Sequence, residues 1–141
     1  MKVDESFGII PITPKKKKWE VLLVLHKNGN FWGFPKGHAD LHEKGVDAAI
    51  RELKEETNLE AFHFIQLQTL EDRYEFSKDE EMVSKTVYYY IAEVRGTLVL
   101  QKHEILDAKW CTFQDAKNLA TYDGTKVLID KAEKILNAKQ W

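Results

Sequence analysis

Hydrophobic and polar positions divide the chain into short β-like runs and three helical stretches. Ser6 to Ile12 (SFGIIPI) is a short β-rich run, in which Pro11, having no ladder donor, predicts an edge or bulge position. Trp19 to Leu25 (WEVLLVL) is the continuous apolar run of a buried strand, and the HKNGN that follows supplies Asn28-Gly29, a strong turn signal. Phe31 to Gly37 (FWGFPKG) sets two glycines and a proline among aromatics, which predicts an irregular, well-packed loop. From Gly45 to Thr57 the period changes. Val46, Ala49, Ile50, Leu53 and Thr57 fall at offsets 0, 3, 4, 7 and 11, the core-facing stripe of a helix. Phe62 to Leu70 and Thr86 to Val94 (TVYYYIAEV) read as strands, with a charged loop from Ser77 to Ser84 between them. Leu98 to Leu100 and Lys109 to Thr112 read as short strands. Asp115 to Ala120 and Lys126 to Ala138 read as helices, the second amphipathic through Leu128, Ala132, Ile135 and Leu136. Strands mixed with a few helices, without regular βαβα alternation, predict an α/β (α+β) sandwich of a mixed sheet flanked by helices.

At 141 residues the expectation is one domain, 1–141. With 21 basic against 23 acidic side chains the net charge is −2, without the basic excess of a protein that lives on nucleic-acid backbone. Lys15 to Lys18, following Pro14, form the one local basic run. It reads either as a solvated loop between two strands or as a targeting or anion-binding signal. Cys111 is the only cysteine, which excludes an intrachain disulfide and a multi-cysteine zinc site. The opening MKVDESFGIIPI has no long apolar stretch after a basic start, and no window approaches 18 uncharged apolar residues, so a soluble cytoplasmic protein with no membrane partner is expected.

The most informative segment is GHADLHEKGVDAAIRELKEETNL, Gly37 to Leu59. At about 100° per residue, Glu52, Glu55 and Glu56 project to the flank and far side of the apolar stripe, so three carboxylates at i, i+3 and i+4 crowd one patch. Like charges at that spacing repel by a few tenths of a kcal/mol per pair, roughly. Arg51 can offset that repulsion, and a hard divalent cation can do so better, because magnesium and manganese favour clustered oxygen ligands. An ordinary exposed face, with glutamates chosen for helix propensity, is the alternative. The preceding Lys36, Gly37 and His38 favour the first reading: cations and a closely approachable backbone beside a carboxylate cluster describe a site for a metal-chelated polyphosphate.

This segment resembles the Nudix box, G-x5-E-x7-R-E-U-x-E-E-x-G-U with U aliphatic. Gly37, Glu43, Arg51, Glu52, Leu53, Glu55, Glu56 and Leu59 match, eight of nine specified positions. Typical residue frequencies give so close a match in a random chain of this length about a few times per million. Asn58 stands where the pattern has glycine, just past the helix end, and Asn is the next most tolerant residue of a left-handed backbone. The resemblance implies a Nudix-type α/β/α sandwich, Mg²⁺ (or Mn²⁺) held by Glu52, Glu55, Glu56 and the Gly37 carbonyl, Arg51 orienting Glu52, and Glu43 holding the loop onto the helix. Glu52 and Glu104, the latter in KHEILDAKW, are both candidates for the general base.

Four further segments resemble the animal and bacterial asymmetrical diadenosine tetraphosphate hydrolases: SFGIIPI, WGFPKGHA, SKTVYYYIAEV, and His103-Glu104 followed by Trp110. That resemblance implies hydrolysis of a dinucleoside tetraphosphate to a nucleoside triphosphate and a monophosphate, and a compact monomer is the simplest expectation for the chain. Lys36, His38 and Lys85, the last placed before a strand, would flank the phosphates, and aromatic rings would stack on the base. Tyr74 in EDRYEF and Tyr122 are the candidate rings, each equally readable as half-buried structure, while Tyr88 to Tyr90 read as structural. The alternatives are a Nudix enzyme for another polyphosphate, such as an RNA 5′-triphosphate or cap or a diphosphoinositol phosphate, and a non-catalytic nucleotide-binding domain. An RNA substrate predicts a basic track leading from the site, with Lys15 to Lys18 its only visible start.

Overall fold

Period-two alternation sorts the apolar side chains of the central strands onto two opposite layers. A computed structural model describes residues 1–139, so that Gln140 and Trp141 of the expected domain 1–141 lie outside the described residues. The elements run β1 (Lys2–Lys15), β2 (Lys18–His26), β3 (Phe31–Gly33), β4 (Lys36–Gly37), α1 (Gly45–Thr57), β5 (Glu60–Phe64), β6 (Leu70–Lys78), β7 (Glu81–Arg95), β8 (Ile105–Cys111), α2 (Phe113–Leu119) and α3 (Asp123–Asn137). Ile10, Ile12, Val21, Leu23, Val87, Tyr89 and Ile91 pack against Ala116 of α2 and Leu128, Ile129, Ala132 and Leu136 of α3. Their neighbours Ile9, Leu22, Val24, Ala92 and Val94 pack the other way, against Ala49 and Leu53 of α1. The result is the expected α/β/α sandwich around a mixed sheet. β1 lies at its centre, parallel to β7 from Lys2 to Ile12 and antiparallel to β2 and β4. Among the described residues no helix is long and apolar enough to cross a membrane.

Several boundaries differ from the sequence reading, each because long-range pairing overrides the local pattern. Pro11 lies in the central strand, not on an edge. It pairs with Ala92 on one side, and on the other it falls between the β4-paired Gly8 and the β2-paired Ile12, where no donor is needed. Phe62 to Leu70 is not one strand: β5 pairs with Ala92–Arg95 of β7, the chain turns, and β6 pairs with Glu81–Tyr89 of the same strand. The charged loop from Ser77 to Ser84 is therefore a hairpin whose tight turn is Asp79-Glu80, both at positive φ (53° and 63°). Phe31 to Gly37 contains two short strands instead of loop alone. Leu98 to Leu100 forms no strand and is instead bound to the end of α1, through Val99 N–H to the Thr57 carbonyl (3.0 Å) and Gln101 N–H to the Glu56 carbonyl (3.1 Å). These donors satisfy carbonyls that a helix end leaves open.

Candidate active site

Two neighbouring residues of β4 serve opposite faces of the sheet. Lys36 pairs with Gly8 and Gly37 with Phe7, so the pleat turns Gly37 toward α1 and Lys36 away from it. A side chain at Gly37 would occupy the place of the Glu52 carboxylate, which only glycine admits. On α1, Arg51 is the hub. Its Nε and Nη2 donate to both oxygens of Glu43 (2.9 Å each), its Nη1 to Glu52 (3.0 Å) and Glu55 (3.2 Å), and its Nη2 also to the His38 carbonyl (2.9 Å). Glu43 in turn accepts from the Asp40 backbone N–H at 2.9 Å, tying the loop to the helix. Asn58 closes α1 at φ 68°, the left-handed conformation expected of it, and its Nδ2 donates to the Thr97 carbonyl (2.9 Å).

Glu56 does not lie on the far side of the helix, as the spacing of the three glutamates was read to imply. It is 3% exposed. Seven residues from Ala49 it falls about 20° away around the helix, at the border of the apolar stripe. Its Oε1 has no hydrogen-bond partner among the described residues. Burial, with the charges of Glu52 and Glu104, pushes its carboxyl up to about 9. Burial and the neighbouring Glu55 likewise raise Glu52, whereas the hydrogen bonds from Arg51 pull Glu43 down to about 2. Among the described residues no three carboxylates or imidazoles converge as a ready metal cluster, since Arg51 draws Glu52 and Glu55 onto its own guanidinium. The donor set still suits a hard cation: an orphaned, buried carboxylate oxygen, repelled by two further carboxylates, beside an open backbone at Gly37.

The cations adjoin this patch. Lys85 lies inside β7, not before it, and is 6% exposed. Its Nζ donates to Asp4 (2.8 Å) and stands 3.4 Å from His38 Nε2, which itself lies 3.0 Å from Asp4. Burial and the Lys85 charge lower the Lys36 ammonium, against the pull of Glu56, Asp4 and Asp72. A cleft of about 450 Å³ is lined by Lys36, Gly37, His38, Arg51, Glu52, Lys85 and Glu104. His26 lines it as well, donating through Nε2 to the Phe34 carbonyl (2.9 Å), and burial lowers its imidazole to about 4.

A second cavity of about 540 Å³ adjoins the cleft, with Phe31 and Lys36 lining both. Tyr74 from β6 and Tyr122 from the start of α3 face it, 41% and 52% exposed, with Phe76, Tyr89 and Asp72. Tyr88 hydrogen-bonds Glu5 (3.0 Å) and Tyr90 packs on Phe64, both structural, while Tyr89 is buried at the floor of the cavity. Of the residues picked from the sequence, Lys36, Gly37, His38, Arg51, Glu52, Lys85 and Glu104 line the cleft and Tyr74 and Tyr122 the adjoining cavity, whereas Glu55 and Glu56 line neither. Asp4, Asp72 and Phe31 were missed. Asp4 meets Lys85 only through a parallel pairing 81 residues apart, which leaves no local signal.

The chain belongs to the NUDIX family, whose domain matches residues 2–131. It is similar to the asymmetrical bis(5′-nucleosyl)-tetraphosphatase of Rattus norvegicus, 32% identical over 83% of this chain and 80% of that one. It is 36% identical to the enzyme of the same name from Caenorhabditis elegans, over 72% of this chain and 73% of that one. The fold matches the binary complex of the C. elegans Ap4A hydrolase with a TM-score of 0.74 at 26% identity, covering 96% and 99% of the two chains.

Proposed function

We propose that this protein hydrolyses diadenosine tetraphosphate and related dinucleoside polyphosphates to a nucleoside triphosphate and a monophosphate, acting as a monomer with residues 1–141 as one catalytic unit. The observation that carries the reading is that Lys36 and Phe31 line both a carboxylate- and lysine-lined cleft and an aromatic cavity. A nucleotide laid across the two puts its base between Tyr74 and Tyr122 and its phosphates against Lys36, Lys85 and His38. Lys36, Lys85 and His38 balance phosphate charge.

Glu52, Glu55, Glu56 and the Gly37 carbonyl are the residues that would hold Mg²⁺ or Mn²⁺. A divalent ion there supplies Lewis-acid activation of water and neutralises phosphoryl oxygens. Arg51 fixes the aim of Glu52 and joins the loop to the helix. The exposed Glu104, facing the cleft, is the better placed general base, because Glu52 is already engaged by Arg51. It takes the proton of the attacking water, and the P–O bond to the leaving polyphosphate breaks as Lys36 stabilises the charge that departs.

An RNA substrate loses its support from the lysine run. Lys16 and Lys17 form a tight turn at positive φ at the far end of β1, and from Asp4 to Lys15 the strand spans roughly 36 Å. A substrate panel with magnesium tests the reading: diadenosine tri-, tetra- and pentaphosphates, nucleoside triphosphates and a 5′-triphosphorylated RNA. The tetraphosphate is expected to give the highest kcat/KM, and preference for the RNA overturns the reading.

A further inference from the structure

The aromatic cavity holds a single carboxylate, and nothing in the hydrolytic chemistry uses it. Asp72 lies on β6 in alternation with Tyr74 and Phe76, and all three line the cavity. The opposite wall is the start of α3. There a side chain at Gly124 would bring its Cβ within 2.6 Å of Asp72 Oδ1, so glycine leaves the space that the carboxylate fills. Asp72 is half-buried, and among the described residues its carboxylate makes no hydrogen bond or ion pair. Burial raises its pKa, and the Lys36 ammonium, shared with the phosphate cleft, acts to keep it ionised. A half-buried carboxylate without donors is costly, and one at the rim of two stacking rings is placed to meet the edge of whatever ring enters.

An ionised carboxylate accepts hydrogen bonds and donates none. The edge of guanine offers N1–H and N2–H side by side, one for each oxygen. The edge of adenine sets the N6–H donor beside the N1 lone pair, which would face the second oxygen. We propose that Asp72 reads the edge of the base in this cavity and favours guanine over adenine, making the enzyme's preferred substrates guanine-bearing dinucleoside polyphosphates.

This inference rests on the hydrolase reading above, and the mixed dinucleotide Ap4G tests it by internal competition. Asymmetrical cleavage yields either ATP with GMP or GTP with AMP, according to which base occupies the cavity. One pair is expected in about tenfold excess, with Gp4G exceeding Ap4A in kcat/KM by a similar factor. Asp72→Asn, whose amide can donate to adenine N1 and accept from N6–H, is expected to erase or reverse both ratios. A purely structural Asp72 would lower both arms alike and leave the ratios unmoved. Equal product pairs, a preference for Ap4A, or ratios unchanged in Asp72→Asn each overturn the assignment while leaving hydrolysis intact. No turnover of any of the three dinucleotides overturns the hydrolase reading and this inference with it.

Discussion

The carboxylate cleft and the aromatic cavity share Lys36 and Phe31, yet they are built in opposite ways. Most of the cleft's charged groups come from one contiguous stretch, β4 through α1, and are cross-linked by a single arginine that binds Glu43, Glu52, Glu55 and the His38 carbonyl. The cavity is assembled from β3, β6, β7 and the start of α3, and its walls are held by sheet register and core packing. Chemistry that needs several charges at fixed spacing is most easily fixed on one helix. Recognition of a base needs two opposed walls, which only distant elements can supply.

The two regions should separate in kinetics, and the largest effect falls on the cleft. Glu56→Gln is expected to lower kcat by about three orders of magnitude. Its thermal midpoint should hold or rise, because the amide replaces a buried, repelled carboxyl. Near-normal kcat in that variant would remove Glu56 from the chemistry and break the distinction.

Next comes His26, which lines the cleft and stacks on Phe31 at 4.5 Å between centroids. Its folded pKa of about 4 lies below the ordinary 6.5, so the neutral form is favoured by folding. That contribution is complete above pH 6.5 and is lost as pH falls through 4, amounting to at most about 3 kcal/mol. Denaturant melts across that window should show His26→Gln, which keeps a donor but does not titrate, losing less stability in acid than the parent. Parallel curves for the two proteins would refute the buried, neutral imidazole.

A smaller effect, on KM, belongs to the cavity. Tyr74→Ala and Tyr122→Ala should each raise KM about tenfold with little change in kcat, since a base–aromatic stack is worth roughly 1–3 kcal/mol, while the Phe variants should stay near the parent. A drop in kcat without a change in KM would place the tyrosines in the chemistry instead. The smallest effect is expected at the one departure from the box. Asn58→Gly eases the left-handed backbone but loses the bond to the Thr97 carbonyl, so stability should move by no more than about 0.5 kcal/mol and activity not at all.

The same contrast explains what could be read from the sequence. The stripe from Val46 to Thr57, the left-handed Asn58 and the box carboxylates depend on spacing within one helix, and each is visible in the order of residues. Strand ends were less legible because pairing partners set them. Asp79-Glu80 and Lys16-Lys17 adopt tight turns at positive φ without glycine, held there by the long ladders on either side. The spacing of the three glutamates predicts an outward Glu56, yet it is buried, because it lies at the border of the apolar stripe, about 20° around the helix from Ala49. Asp4 and Asp72 gave no signal, since their neighbours Lys85 and Gly124 are brought to them by tertiary structure alone.

The central claim is that the carboxylate cleft cleaves a polyphosphate whose base is seated in the adjoining cavity, and product analysis of diadenosine tetraphosphate hydrolysis by ion-exchange chromatography tests it most directly. Equimolar ATP and AMP in the presence of magnesium, with ATP again a product from the pentaphosphate, is the predicted result. Two molecules of ADP, or an unchanged dinucleotide, would contradict it.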